Sequence, residues 1–178
     1  MEWAISRSRA KSKLVTETEL AWLAGLWDGE GSITIFTHKE RNGAEKICPT
    51  LLVVNTNESI IAEAVRILDA LGTSFHVFER KMSNPKWKDS IQLNTRNTGY
   101  IKTALEAMLP YLIGKKPQAQ LVLRYVNKKL GQMIAAPGRT RYDSDDRSVQ
   151  QQVQAMNRTG KSDTSTTTGE TPAGDDIV

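Results

Sequence analysis

The sequence has almost none of the residues from which disulfide frameworks and zinc sites are built. Its 178 residues include one cysteine, Cys48, and two histidines, His38 and His76. A single cysteine cannot form an intrachain disulfide, and these three side chains are too few for the usual zinc site within one chain. The composition therefore argues against a disulfide-stabilised domain and against a zinc enzyme or zinc finger.

Long apolar runs are also missing. No stretch approaches the roughly 20 apolar residues that a helix needs to cross a bilayer, and no secretory signal pattern is visible at the start. We expect a soluble, intracellular protein without membrane association. The basic residues among serines at positions 7–13 are typical either of a short targeting segment or of an arm that lies on nucleic acid.

Positive charge is concentrated in the part of the chain that has hydrophobic periodicity. Residues 1–130 contain 19 Lys and Arg against 13 Asp and Glu, whereas residues 131–178 contain 5 against 7. The formal net charge is +4 and the sequence pI is about 9.2. A basic domain of this kind suits a polyanionic partner such as nucleic acid.

Periodicity predicts an α+β domain with a four-stranded antiparallel sheet backed by helices, in the order α-β-β-α-β-β-α-α. We predict a basic arm at 1–13, a domain at 14–131 and a polar, partly disordered tail at 132–178, in which 149–156 could form a short helix. Alternation predicts strands at 32–39, 46–56, 74–81 and 90–96. The Asn42-Gly43 turn signal joins the first two strands, and Pro49 indicates that the second begins at an edge or a bulge.

The first helix has two unusual features. Thr16 and Glu19 form a capping-box pattern that places its start near residue 16, and small residues at Ala21, Gly25 and Gly29 would leave a smooth groove along one face. Asp28 and Glu30 lie at its C-terminal end, where the helix dipole disfavours negative charge. A divalent cation would neutralise them.

The run Leu23-Ala24-Gly25-Leu26-Trp27-Asp28-Gly29-Glu30-Gly31 closely resembles the signature of the LAGLIDADG homing endonucleases. Six positions carry the naming residue, Trp27 and Gly29 differ, and Glu30 replaces an Asp. The predicted strand and helix order extends the resemblance over residues 14–130. It implies a DNA endonuclease that cuts a long near-palindromic site by metal-dependent phosphodiester hydrolysis. The sheet would form a saddle over double-stranded DNA.

The resemblance also implies roles for individual residues. Glu30 would bind Mg²⁺ together with the Gly29 carbonyl, and oxygen ligands suit that ion. By position, the water-orienting polar residue falls on Asn57, for which a helix N-cap is the alternative. The basic residue before the last core helix falls on Lys115, whose alternative is an ordinary solvated lysine. A further basic residue early in the second helix is replaced here by Ile60 or Ile61.

Only one copy of the signature is present, and single-copy members of the family act as homodimers. The dimer interface would then include Ala21, Trp22, Gly25 and Asp28. Polar, basic and aromatic residues on one sheet face and in its loops are the predicted DNA contacts: Ser32, Thr34, Phe36, His38, Lys46, Thr50, His76, Arg80, Lys86, Lys88, Gln92, Asn94 and Arg96. Phe36 would instead belong to the core if the facing were inverted by one residue.

A second hypothesis is a binding protein of the same fold that does not cleave, either an intron maturase or a DNA-binding regulator. The presence of Glu30, Asn57 and Lys115 together favours the enzyme. The resemblance also implies that the gene lies within an intron, in a mitochondrion or chloroplast.

Overall fold

The computed structural model describes residues 14–41, 43–84, 86, 88–136 and 142–158. The elements in chain order are α1 Glu17–Glu30, β1 Gly31–Lys39, β2 Glu45–Asn55, α2 Glu58–Ala70, β3 His76–Arg80, β4 Ser90–Thr95, α3 Thr98–Met108, α4 Lys116–Ala135 and α5 Ser144–Arg158. Within these ranges no helix is both long enough and apolar enough to span a membrane. The predicted arm at 1–13 lies outside them.

The four strands form one antiparallel sheet in the order β1-β2-β4-β3. Its register places Ile33 opposite Leu51 and Val53 opposite Leu93, and all four side chains are fully buried. They pack with the apolar faces of α1, α2, α3 and α4 in one hydrophobic core. The predicted fold class is confirmed, and α5 is an addition to the predicted order.

The strand ends follow from local chemistry. Gly43 adopts a positive φ of 82° in the β1–β2 hairpin, a conformation that L-residues with a side chain rarely take. Pro49 pairs with Ile35 of β1, whereas pairing of β2 with β4 begins only at Leu51. Pro49 therefore lies where β2 has one neighbour, as its missing N–H requires.

α1 begins with the predicted capping box and ends at a point where only glycine fits. The Thr16 hydroxyl accepts the Glu19 N–H, and the Glu19 carboxylate accepts the Thr16 N–H. At the other end, a Cβ on Gly31 would lie 2.7 Å from the Cα and 2.6 Å from Cδ1 of Trp27. Since Trp27 is fully buried against Phe75, Gly31 fixes how closely β1 follows the helix.

α5 differs from the predicted polar tail. Residues 132–135 extend α4, and the helix predicted at 149–156 is longer, spans Ser144–Arg158 and packs on β1 and α4. Val149 and Val153 belong to the core, and the buried Lys129 of α4 pairs with the buried Asp146 of α5. The rest of the predicted tail, 159–178, lies outside the described residues.

Amide side chains of α5 cover the open edge of the sheet. Gln154 donates to the main-chain carbonyl of Ile35 and Asn157 to that of Ile33, each at 3.1 Å. Gln150 donates to the Thr37 hydroxyl at 2.7 Å. A helix face with amides at i, i+4 and i+7 thus follows alternate residues of β1. These bonds occupy an edge that would otherwise be open to another strand.

Candidate active site and nucleic-acid interface

The end of α1 presents an exposed carboxylate beside helix carbonyls. Glu30 is the last residue of the helix, and both Gly29 and Glu30 are exposed. No hydrogen bond or ion pair engages the Glu30 carboxylate among the described residues. The last carbonyls of a helix lack intrahelical partners, so this end combines two kinds of oxygen ligand.

Asp28, two residues before Glu30, is engaged within its own chain. Its Oδ2 accepts the main-chain N–H of Ile113 at 2.7 Å, and its Oδ1 accepts that of Lys115 at 2.8 Å. Both carboxylate oxygens therefore fix the segment that leads into α4. Asp28 therefore has a structural role within its own chain, and its predicted contact with a second subunit stays a prediction.

The Lys115 side chain binds the main chain at the end of α1. Its Nζ donates to the main-chain carbonyls of Trp27 at 2.8 Å and Asp28 at 2.5 Å. Partial burial lowers the pKa of Lys115, and the carboxylates of Asp28 and Glu30 oppose that fall. The structure thus brings the predicted Lys115 close to Glu30. The ammonium also neutralises the negative end of the α1 dipole.

Asn57 caps α2. Its Oδ1 accepts the Ser59 N–H at 3.0 Å, while its own N–H donates to Asn55 Oδ1 at 2.8 Å. The alternative interpretation as an N-cap is confirmed. A role in orienting water stays a prediction, and it would have to operate with the side-chain oxygen already holding the helix terminus.

One face of the sheet is polar and turned away from the helices. Even-numbered residues of β1 pair with even-numbered residues of β2, and these continue across β4 to β3. We call this surface the polar face, and it carries eleven of the predicted DNA contacts: Ser32, Thr34, Phe36, His38, Lys46, Thr50, His76, Arg80, Gln92, Asn94 and Arg96, the last just after β4. Lys86 and Lys88 are exposed in the β3–β4 connection.

The facing of the strands is as predicted and is not inverted. Ile33 and Ile35 are buried, whereas Ser32, Thr34 and Phe36 between and beside them are partly exposed. Phe78 of β3 is 51% exposed, and its ring lies 6.1 Å from that of His76. The polar face therefore offers aromatic surface as well as hydrogen-bonding groups.

A group of three carboxylates lies elsewhere and serves another purpose. Oxygens of Asp143, Asp145 and Asp146 come within 4.8 Å of one another. Lys128 pairs with all three, and Lys129 pairs with Asp146. Asp143 and Asp146 also cap α5 by accepting each other's N–H. These charges are already balanced, so the cluster holds α5 to α4.

The residues at the end of α1 fit a hard cation better. Glu30 supplies an exposed carboxylate with no salt bridge in the described residues, and the adjacent Gly29 carbonyl supplies a neutral oxygen. Oxygen ligands of this type suit Mg²⁺, which usually keeps several of its waters. Among the described residues, one chain offers one such carboxylate at this end of α1.

The outer face of α1 is exposed in the described part of the chain. Ala21, Trp22 and Gly25 are exposed, with Trp22 at 39%. A Cβ added to Gly25 or Gly29 would find nothing within 4 Å. An apolar and glycine-lined face of this kind allows another backbone to approach closely.

Comparison with known proteins agrees with this architecture. Residues 17–108, more than half of the chain, match the model of the LAGLIDADG-like domain. The chain belongs to the LAGLIDADG family. The match covers α1 with the motif, the whole sheet, and α2 and α3. None of the curated proteins compared matches this LAGLIDADG chain.

Solved structures share the fold. The homing endonuclease I-CvuI, in complex with a DNA target, is 22% identical with a TM-score of 0.51, covering 77% of this chain and 95% of that one. I-CeuI, complexed with DNA, is 15% identical with a TM-score of 0.52 over 70% and 64% of the two chains. I-GzeII, also in complex with its DNA target, is 20% identical with a TM-score of 0.52, covering 77% of this chain and 43% of that one. The LAGLIDADG homing endonuclease fold is therefore shown.

Several contacts of the structure could not be predicted from the sequence. Asp28 and Lys115 are recognisable separately, but nothing local shows that they bond to each other's main chain. The position of Arg96 over Phe36, with its guanidinium carbon 4.7 Å from the ring centroid, joins residues 60 positions apart. The contacts of α5 with β1 were missed too, but they do have a signal in the sequence, which is the spacing of the amide side chains Gln150, Gln154 and Asn157.

Proposed function

We propose that this protein is a sequence-specific double-stranded DNA endonuclease that hydrolyses phosphodiester bonds with Mg²⁺. The observation that carries the proposal is the exposed Glu30 carboxylate at the end of α1, where the Lys115 ammonium binds the helix carbonyls, immediately before the strand that begins the polar face. Hydrolysis of a phosphodiester needs an activated water and positive charge against the developing negative charge. This site would supply oxygen ligands for a metal ion from Glu30 and Gly29, and a fixed positive charge from the Lys115 ammonium.

The roles of the chain's own residues follow from their geometry. Glu30 and the Gly29 carbonyl would hold Mg²⁺, which when bound would supply a Lewis acid and an acidified water. Lys115, anchored on the α1 carbonyls, would place positive charge near the scissile phosphate. Asn57 would assist through the side-chain atoms that the α2 cap leaves unused.

We infer that the active form is a homodimer joined through the open face of α1. Twofold pairing requires a self-complementary surface, and Ala21, Gly25 and Gly29, all exposed in the described part of the chain, would provide one. Pairing would bring two Glu30 carboxylates together and would join two sheets into one saddle. The nine residues of β1, at about 3.3 Å each, span roughly nine base pairs, so a dimer would read about 18.

The proposal is tested by incubating purified protein with a library of duplex DNA, with Mg²⁺ or with EDTA, and sequencing all new ends. We expect paired cuts at one enriched, near-palindromic site with Mg²⁺ and none with EDTA. Enrichment of bound DNA without any metal-dependent cut would refute the enzyme and support the binding protein. A monomer bound to a full-length site in analytical ultracentrifugation would refute the dimer.

A further inference from the structure

The Arg96 side chain reaches across the polar face to an aromatic ring two strands away. It directly follows β4, yet its guanidinium carbon is 4.7 Å from the ring centroid of Phe36 in β1. Because β2 lies between β4 and β1, the side chain must cross β2 on the polar side. The charge is thus held on the polar face, over β2 and the edge strand β1.

The register shows what lies beneath it. Phe36 is opposite Cys48, and Leu51 is opposite Thr95, so Arg96 crosses near Cys48 and Thr50. Burial raises the pKa of the Cys48 thiol, and the nearby positive charges of Lys46 and Arg96 oppose that rise. The Thr50 hydroxyl is buried and has no hydrogen-bond partner within the described part of the chain.

The guanidinium of Arg96 has no carboxylate partner. Arg66, Arg124 and Arg147 each form a salt bridge, whereas Arg96 forms none in the described ranges. A cation–π contact orients the guanidinium plane without using its N–H donors. The buried Thr50 hydroxyl, next to Leu51 in the same register, is a second polar group there without a hydrogen-bond partner among the described residues.

We propose that Phe36 is a positioning residue that holds Arg96 ready to read a guanine in the DNA major groove. The inference rests on the proposed function, since it names how the same face selects its site. A planar fork with free donors matches the O6 and N7 acceptors of guanine. Its place on the polar face, among the side chains predicted to face the groove, favours contact with a base edge, which is exposed there.

The test is selection of binding sites from randomised duplex DNA in EDTA, so that cleavage plays no part. The proteins compared are wild type, Arg96→Ala, Phe36→Leu and Phe36→Tyr. Phe78→Leu is the matched control, because Phe78 lies on the same face but makes no cation–π contact with Arg96 among the described residues. Circular dichroism and thermal melting show that each variant is folded.

We expect wild type to prefer guanine at one position of each half-site. Arg96→Ala should reduce that preference by about tenfold to a hundredfold, the range for one bidentate contact. Phe36→Leu should reduce it at the same position only, while Phe36→Tyr and Phe78→Leu should keep it. In the double variant Phe36→Leu with Arg96→Ala, the loss should be no larger than for Arg96→Ala alone.

Other outcomes separate the two proposals. If wild type selects a site and Phe36→Leu leaves its guanine preference intact, the positioning role is refuted and DNA binding stands. If Arg96→Ala weakens all sequences equally and lowers the salt dependence, Arg96 contacts a phosphate. If wild type selects no sequence, the proposed function itself fails.

Discussion

Asp28 and Lys115 are joined by two hydrogen bonds that Lys115 donates, one from its main chain to the Asp28 side chain and one from its side chain to the Asp28 main chain. The Lys115 main-chain N–H donates to Asp28 Oδ1 at 2.8 Å, and the Lys115 ammonium donates to the Asp28 main-chain carbonyl at 2.5 Å. A third bond joins Asp28 Oδ2 to the Ile113 N–H. The end of the motif helix and the start of α4 are therefore fixed to each other, with Glu30 next to the junction.

Asp28→Asn should loosen this junction. An amide can accept only through its oxygen, so one of the two N–H groups would face an NH₂ donor. We expect a loss of about 1.5–3 kcal/mol in the free energy of unfolding, the usual contribution of one hydrogen bond to a charged group, and slower cleavage. Urea unfolding and single-turnover cleavage measure both. Glu106→Asn is the control, because its carboxylate pairs only with Lys102 at the surface and should change stability by at most about 1 kcal/mol.

Gly31→Ala should be costly although its backbone is extended, because the new methyl group would meet Trp27 at 2.6 and 2.7 Å. The Trp27 main chain cannot move away from it. Overpacking of this kind costs about 1–3 kcal/mol, and the shift would displace Glu30. We expect a lower melting temperature and weaker cleavage.

Gly25→Ala is the matched control for Gly31→Ala, since nothing in the described part of the chain lies within 4 Å of the added Cβ. Within one chain, replacing a mid-helix glycine should raise helix stability by about 1 kcal/mol. If α1 pairs across a dimer, the same methyl group should weaken self-association, measured by sedimentation across a concentration series. An unchanged association constant would argue against pairing through this face.

Gln154→Glu should disturb the cover on the sheet edge. A carboxylate cannot donate to the Ile35 carbonyl that Gln154 now satisfies, and two acceptors would face each other. We expect a loss of about 1–3 kcal/mol and, at high concentration, association through the exposed β1 edge. Gln151→Glu introduces the same charge at an exposed position of α5 and should change stability by less than about 0.5 kcal/mol. Equal effects of the two variants would refute the edge role.

Acid should weaken the fold through Glu19. Bonding to the Thr16 main chain and to Arg66 lowers the pKa of Glu19 from 4.5 to about 2. A carboxylate whose pKa is lower in the folded state stabilises the fold fully at pH values above its unfolded pKa. This contribution is lost as pH falls from about 4.5 to about 2. Glu19→Gln should therefore be less stable at pH 7 and should show a shallower loss over that range. Urea unfolding from pH 7 to pH 2 gives the comparison.

Much of the fold could be predicted because its signals are local. Alternation at 32–39 correctly assigned the two faces of β1, and Thr16 with Glu19 correctly placed the start of α1. The mutual bonds of Asp28 and Lys115 could not be predicted, since they join segments 87 residues apart through main-chain groups. α5 reads as a solvated polar helix because Gln150, Gln154 and Asn157 resemble surface residues, yet their partner is a strand edge.

Glu30→Gln tests most directly whether Glu30 is the metal ligand of a DNA endonuclease. It is compared with wild type and with Glu17→Gln, which removes a charge from the opposite end of the same helix. On the duplex identified by selection, cleavage with Mg²⁺ and binding in EDTA are measured separately. We expect Glu30→Gln to abolish cleavage while binding stays within about twofold, and Glu17→Gln to leave both unchanged. Persistent cleavage by Glu30→Gln at the wild-type rate would contradict the assignment of Glu30 as the metal ligand.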